Sequence, residues 1–560
     1  MRGTDADGHW GASAEAGLIL GLPVFCATGC DDWHHRYVRR MICFLLALIA
    51  TLLTSTYAGS QEPRKPPSLI VLVTVDQLRG DYIDRFRPQL TRGLGRFARG
   101  AWFTNAHHDH AITETAPGHA TLLSGRFPRS TGIADNLAGV DDPNAPLLGA
   151  RGPGASPQRF QGTTLVDWLR TRDPGTRVLS VSMKDRGAIL SVGRSRAEVY
   201  WYSTDGRFTT SRYYRSALPD WVDRFNARRL PQSYAGKTWT PLLPDSAYKE
   251  VDDESVETAG VDPVFPHAMP ADTTAATNQV RVTPWMDEMT FAFALDGLRA
   301  LSLGDGSRTD VLAVSVSATD IIGHSFGPDS REIHDQVLRL DRMLGAFMDS
   351  VYRMRDSTRV VFALTGDHGV GRIPEIAART QRPPPYRVDV VAPARAFHAK
   401  LLALGLDTSA IEVGVRTVRI AKSARANKDA AIDAALAAYA AELRRIPGVA
   451  RADRLRDLTD RDTVTDPIAR RWAHQFADTS TIELVTTLTP YSIYGQIVAT
   501  HGSPYDYDTH VPVIFYGAPF RPGRYTDFVR TVDLAPTLAA VAGIVPSEKL
   551  DGVALKQAIR

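Results

Sequence analysis

The chain has 560 residues, enough for more than one cored lobe, and is 44% hydrophobic and 23% charged, the balance of an ordinary soluble globular protein. A formal net charge of +3 without any Lys/Arg-rich run gives no reason to expect a nucleic-acid partner, although a local basic pocket for a small anion is compatible with it. The three cysteines, Cys26, Cys30 and Cys43, all lie near the start, which excludes a disulfide framework further along.

Residues 1–58 read as an N-terminal extension plus a signal peptide, with Met41 as the expected start. Arg36, Arg39 and Arg40 precede an apolar run from Met41 to Leu53, and Thr56-Tyr57-Ala58-Gly59 supplies a small-x-small cleavage site. The expected location is therefore periplasmic or secreted. The run is short for a membrane span, so no stable span is expected in the mature chain; an uncleaved anchor is the competing reading. Cys26-x3-Cys30 near His34 and His35 resembles a zinc site only loosely. No second cysteine pair follows, and cleavage would remove it.

After a polar, Pro-rich linker over 59–67, Ser68 to Val75 is a continuous β-branched apolar run. It predicts a buried strand of a parallel sheet. It ends on Asp76. The pattern recurs at Asp310–Ser317, leading to Asp320, and at Thr358–Thr365, leading to Asp367-His368. His510–Tyr516 is a fourth such run. Ligands of open α/β sheets bind beyond the carboxyl ends of the strands, so strand ends that carry acids and histidines point at one site. Between them, Ile333, Val337, Leu340, Met343, Leu344 and Phe347 recur at helical spacing over 330–354. Residues 430–445 are Ala/Leu-rich and stop before Ile446-Pro447-Gly448. The expected core is 59–385 with 481–560. Residues 190–280 and 386–480, poor in candidate ligands, read as an insertion and an inserted cap.

Asp320-x3-His324 places two ligands one helical turn apart. Asp367-His368 sits on a tight turn, and His501 precedes Gly502 near the last core strand. Carboxylate and imidazole together suit zinc, and paired ions clamp the attacking and leaving oxygens of phosphoryl transfer. A lone strand-end Asp is an ordinary cap or turn former; the recurrence is what carries weight. Thr115, before Ala-Pro-Gly-His-Ala, has two readings on its own. It is a helix N-cap, or a hydroxyl at an anion-binding helix start that a metal activates as a nucleophile.

These pieces resemble the alkaline phosphatase superfamily. The nearest branch is the phosphate-irrepressible, PafA-like one, grouped with type I phosphodiesterases and nucleotide pyrophosphatases. The matching segments are Val75-Asp76-Gln77, Thr115-Ala-Pro-Gly-His-Ala, Gly132-Ile-Ala-Asp-Asn136, Ser182-Met-Lys184-Asp-Arg186, Thr319-Asp320-x3-His324, Gly366-Asp367-His368-Gly369 and His501-Gly-Ser-Pro-Tyr-Asp-Tyr-Asp508, with Asp533-Leu-Ala-Pro-Thr-Leu538 and Asp551-Gly552 near the end. The resemblance implies an α/β sandwich, with a central, mostly parallel sheet flanked by helices and with inserted cap segments. It also implies two Zn2+ per chain. Asp320, His324 and His501 would hold one; Asp76, Asp367 and His368 would hold the other, with Thr115 bridging as nucleophile. Asn136 would bind a phosphoryl oxygen. Lys184 and Arg186 match the basic pair that contacts the phosphoryl group in the monoesterase branch.

That pair favours small-molecule phosphate monoesters, because extra cations help most against a dianion. A phosphothreonine on Thr115 would be the intermediate. A phosphodiesterase or nucleotide pyrophosphatase with the same metals is the alternative, and Lys184 and Arg186 as solvated charges flanking Asp185 is the competing reading of the pair. A sulfatase is disfavoured because Thr115 cannot mature to formylglycine. A non-enzymatic, metal-stabilised surface protein is the last rival. Manganese or iron would also suit such oxygen and nitrogen donors. His107-His108-x-His110 is expected to be a polar loop and His119 structural. His510 is the weaker rival to His501, Asp506 and Asp508 order their loop, and nothing catalytic is read into Trp285-Met-Asp287.

Overall fold

A computed structural model describes residues 38, 40–44, 65–257, 262–459 and 465–560. The expected cleavage site after Ala58 and the Cys26/Cys30 segment lie outside them. Among the described residues no helix is long and apolar enough to cross a membrane.

The core is a nine-stranded sheet. Its strands in chain order are β1 (Leu69–Val75), β2 (Ala101–His107), β3 (Val178–Ser182), β4 (Glu198–Tyr202), β5 (Phe208–Thr209), β6 (Asp310–Val316), β7 (Val360–Gly366), β8 (Val513–Tyr516) and β9 (Gly523–Arg530). In space the order is β9-β2-β8-β7-β1-β6-β3-β4-β5. β1 lies at the centre and pairs in parallel with β6 and β7; β3 continues the parallel run beside β6, and β4 beside β3. β8 runs antiparallel to both β7 and β2, so the sheet is mixed.

All of β1 is buried, as its unbroken apolar run requires, and its two faces feed two cores. Leu69, Val71, Val73 and Val75 pack with the helices Trp285–Ala300 and Arg331–Met354. Ile70 and Leu72 pack with Thr115–Leu122, Leu165–Arg172 and Leu534–Ala542 on the opposite face. A parallel sheet covered on both faces has no polar side to alternate with. The long helix Arg331–Met354 starts where Ser330 accepts the Ile333 amide, and Ile333, Val337, Leu340, Leu344 and Phe347 form its buried stripe.

Two boundaries differ from the sequence reading. β4 and β5 complete the central sheet although they fall within 190–280. Their Val-Tyr-Trp-Tyr run is strand-forming but too short to stand out. The cap has its own four-stranded antiparallel sheet, in the order Ile411–Val413, Thr417–Ile420, Ile482–Leu488, Val449–Arg454. The helices Val391–Ala403 and Asp429–Leu443 cover it, with Phe397 stacked on Tyr439 at 4.2 Å. Since Ile482–Leu488 pairs with both neighbours, the cap runs past residue 480.

Candidate active site

The sheet register brings the acids together. Val75 is level with Val316 on β6 and with Gly366 on β7. The chain therefore leaves all three strands at one edge, at Asp76, at the helix Ala318–Phe326 that carries Asp320 and His324, and at Asp367-His368. β8 runs the other way, so its ligand precedes the strand, which is why His501 comes before it in sequence. Asp320, His324 and His501 form one cluster and Asp76, Asp367 and His368 a second, with the donor atoms of each within 4.8 Å of one another.

The donors fit a divalent cation in each cluster. His324 Nδ1 lies 2.8 Å from the Ala499 carbonyl, His501 Nδ1 2.8 Å from that of Thr113, and His368 Nδ1 3.0 Å from that of Gly369. A carbonyl only accepts, so each Nδ1 carries a hydrogen and Nε2 is the nitrogen that supplies a lone pair once the ring is neutral; burial opposes the charge on His324, but Asp320 beside it prevails and raises its pKa. Those Nε2 atoms stand 3.3 Å (His324) and 3.6 Å (His501) from Asp320 Oδ1, and His368 Nε2 stands 3.5 Å from Asp76 Oδ1. Two ligands bound tetrahedrally at about 2.0–2.1 Å stand roughly 3.3 Å apart, so the spacing is that of atoms sharing an ion. Neither oxygen of buried Asp76, nor Asp367 Oδ2, accepts a well-directed hydrogen bond, a costly arrangement unless a cation supplies the partner.

The electrostatics agree. Three fully buried carboxylates share one ammonium. Burial, with Asp320 and Asp367 nearby, pushes Asp76 well above the usual carboxylate range. Burial opposes the charge on Asp320 too, but Lys184 and His324 outweigh it and hold Asp320 well below that range. Burial drives His501, and to a lesser degree His368, toward the neutral form that ligation needs.

Thr115 is the first residue of the buried helix Thr115–Leu122, following Glu114 at the cap position. Its hydroxyl caps nothing. Oγ1 lies 3.3 Å from Lys184 Nζ and 3.5 Å from His368 Nε2, which removes the N-cap reading. Asn136 serves the helix instead: its Oδ1 accepts the Ala116 amide at 2.9 Å, leaving Nδ2 as the side chain's donor. Gly118 lets this helix lie against the nucleus of the site, because a Cβ there would overlap the Asp367 carbonyl oxygen.

Lys184 and Arg186 part company. The Lys184 ammonium is buried, 2.5 Å from Asp320 Oδ2 and 2.6 Å from Asp76 Oδ2. Burial works against its charge, but those two carboxylates prevail and its pKa is raised. It is no solvated surface charge. Arg186 is more open, with 29% of its side chain exposed and its nearest carboxylate, on Asp185, 3.8 Å away. Its buried Nε has no partner, and its charge is felt at Lys184.

Sequence reasoning missed the groups behind these. Gln77 (φ 64°) donates its amide N–H to Asp367 Oδ1 at 3.1 Å and its side-chain Nε2 to Asp320 Oδ1 at 2.8 Å, tying the two clusters together. Gly323 makes room for it; a Cβ there would strike Gln77 Oε1. Asp287, earlier given no role, accepts the Ser317 and Ala318 amides at 3.0 and 2.9 Å and so holds the start of the helix that carries Asp320 and His324. His119 bonds the Thr115 carbonyl and Ser315 Oγ, both at 2.9 Å, and its Nδ1 lies 3.1 Å from Asp367 Oδ2. A buried polar residue just after a strand-end ligand was the available signal for Gln77; Asp287 gave none.

His107, His108 and His110 join neither cluster, and they are buried rather than part of a solvated polar loop. The sheet edge covers them: His107 ends β2, and His108 Nε2 bonds the Gly366 carbonyl at 2.9 Å. His510 stacks on His107 at 5.0 Å and bonds the Thr104 carbonyl, away from the metal-type clusters. Asp508 accepts the Ser503 amide and hydroxyl at 2.8 and 2.5 Å, ordering the loop after His501. Asp506 is largely exposed and pairs with Arg471 at 3.0 Å.

Residues 70–454 match the type I phosphodiesterase/nucleotide pyrophosphatase family. The chain belongs to this family. Within the alkaline phosphatase superfamily, this family member is 28% identical over 529 residues to alkaline phosphatase PafA of Elizabethkingia meningoseptica, with 89% of this chain and 96% of that protein covered. It is 31% identical over 526 residues to alkaline phosphatase PhoK of a Sphingomonas species, with 87% and 90% covered. The crystal structure of wild-type PafA superposes with a TM-score of 0.81 at 26% identity, covering 89% of this chain and 100% of that one.

Proposed function

We propose that the protein is a metal-dependent phosphate monoester hydrolase, exported from the cytoplasm, that works through a phosphothreonine at Thr115. The observation that carries this reading is the Lys184 ammonium, which touches both Thr115 and the two carboxylates of the paired clusters. The relatives PafA and PhoK are named alkaline phosphatases. Asp320, His324 and His501 would hold one ion and Asp76, Asp367 and His368 the other, with zinc as the metal that the donor set favours. When bound, such ions supply Lewis-acid stabilisation of the attacking and leaving oxygens.

The chain's own groups do the rest. Thr115 Oγ1 gives up its proton to solvent and attacks phosphorus, forming a P–O bond to the threonine as the ester P–O bond breaks and the alcohol leaves with a proton taken from solvent. Water then cleaves the phosphothreonine, returning the Thr115 hydroxyl and releasing inorganic phosphate. Asn136 Nδ2 is the donor left for a phosphoryl oxygen. Lys184 and Arg186 put positive charge where a monoester, with one more negative charge than a diester, gains most. Glu114 fixes the frame by accepting the Asn136 amide at 2.9 Å.

Residues 59–560, loaded with zinc, should release phosphate from a monoester model substrate, lose that activity to chelator and regain it on adding zinc back. Thr115→Ala should lose it at unchanged metal content. A fully active Thr115→Ala enzyme would remove the nucleophile from this reading.

A further inference from the structure

A pocket of about 160 Å3 opens between the cap and the core, and one of its walls is His501. The same residue belongs to the Asp320 cluster, so the pocket and that cluster share His501 as a common wall. The tip of the cap hairpin formed by Ile411–Val413 and Thr417–Ile420 reaches down beside it. There Arg416 pairs with Glu114, the residue before Thr115, at 2.8 Å. The pocket's surface is mainly carbon, with Tyr491 and Tyr494 on its sides. Val415 and Ile497 stand on it with 41% and 52% of their surface exposed. Tyr494 Oη is buried and has no hydrogen-bond partner.

We propose that this pocket receives the organic, leaving-group side of the phosphate ester and selects an aromatic ring there. The inference rests on the phosphatase reading and adds the substrate class to it. The shared His501 wall, and Arg416 in the pocket lining paired with Glu114 beside Thr115, point to an occupant that is part of the molecule whose phosphoryl group meets Thr115. The size argues for one ring, since an apolar cavity of about 150 Å3 holds a single benzene. Tyrosine side chains in the lining favour an aromatic partner over an alkyl chain. Val415 and Ile497 would be covered by the ring.

The zinc-loaded full chain tests this with 2-phenylethyl phosphate and ethyl phosphate, which share the chemistry of the ester oxygen and differ in the ring. The wild type should prefer the phenylethyl ester in kcat/KM on the order of tenfold, the worth of one buried apolar group. The double variant Val415→Ser/Ile497→Ser, changed only at exposed positions, should bring that preference to within about twofold while ethyl phosphate turnover holds. Calorimetric Kd values for 2-phenylethylphosphonate and ethylphosphonate should show the same contrast without turnover. Equal kcat/KM and equal Kd in the wild type, or a preference untouched by the two serines, overturns the pocket assignment alone. If the wild type hydrolyses neither ester, the phosphatase reading falls and takes this one with it.

Discussion

Replacing Lys184 with methionine keeps most of the side chain's volume and removes its charge. Nζ lies 3.3 Å from Thr115 Oγ1, so a phosphorus bonded to that oxygen sits about 4 Å away. At that distance one unit of charge is worth about 4 kcal/mol at an effective dielectric constant near 20. A monoester brings roughly one more negative charge than a diester. That charge is spread over three oxygens, and water admitted by the variant screens part of it, so about half of the figure should survive. The expected loss is about 2 kcal/mol greater for the monoester, roughly 30-fold in kcat/KM. The assay compares 4-nitrophenyl phosphate with bis-4-nitrophenyl phosphate on protein whose metal content has been measured, because Lys184 also touches Asp76 and Asp320. Equal losses on the two substrates at equal metal content would refute the charge argument and return Lys184 to a purely structural role.

Gln77→Gly keeps the backbone donor to Asp367 and the positive φ but deletes the side-chain bond to Asp320. Zinc affinity of the Asp320/His324/His501 cluster should drop about 10- to 100-fold in a metal-buffer titration, with the second cluster unaffected; a uniform loss at both would contradict it. Gly118→Ala forces the helix Thr115–Leu122 away from Asp367. It should cost about 1–3 kcal/mol in urea unfolding together with most of the activity, and wild-type stability would show that the helix has room to move. Asp287 gives a pH signature. Burial pushes its carboxyl up to about 7, against hydrogen bonds from Ala318, Gln336 and Ser317, from an unfolded value of 3.8. The fold therefore keeps a proton that the unfolded chain has lost. Its contribution is full below the unfolded pKa, falls as pH rises toward 7 and is level above that. Relative to Asp287→Asn, wild-type stability should decline by on the order of 4 kcal/mol over this window, and a difference independent of pH would show that the carboxyl does not titrate there.

The parts legible in the sequence were those written in local pattern. β1, β6 and β7 are apolar runs that end on acids, and Arg331–Met354 is a clean helical stripe behind a serine cap. The six candidate ligands came from acids and histidines near strand ends together with the family resemblance, and the sheet register gathers them into two clusters. β4 and β5 went unread because a strand of two to five residues has too little period to stand against a loop. The cap boundary slipped because Ile482–Leu488 pairs with strands far upstream, and register is a long-range property. Asp287 lies in an amphipathic helix among apolar residues, and only the fold shows that it faces the amides of Ser317 and Ala318.

The same distinction explains why the histidines had to be sorted in space. His501 and His510 both lie close before β8, and either is close enough in sequence to reach the site. What separates them is the partner of Nδ1. His501 spends that nitrogen on the Thr113 carbonyl, two residues before Thr115, and so turns Nε2 toward Asp320. His510 spends Nε2 on Thr104 and stacks on His107, which leaves it no lone pair for the cluster on that side. The bond to Thr113 also fastens the loop after the cap to the segment that delivers Thr115, and Arg416 fastens the cap itself to Glu114 in the same segment. His501 and the cap are thus tied to one stretch of three residues, Thr113 to Thr115. The cap and His501 therefore share the segment on which Thr115 stands as their common anchor.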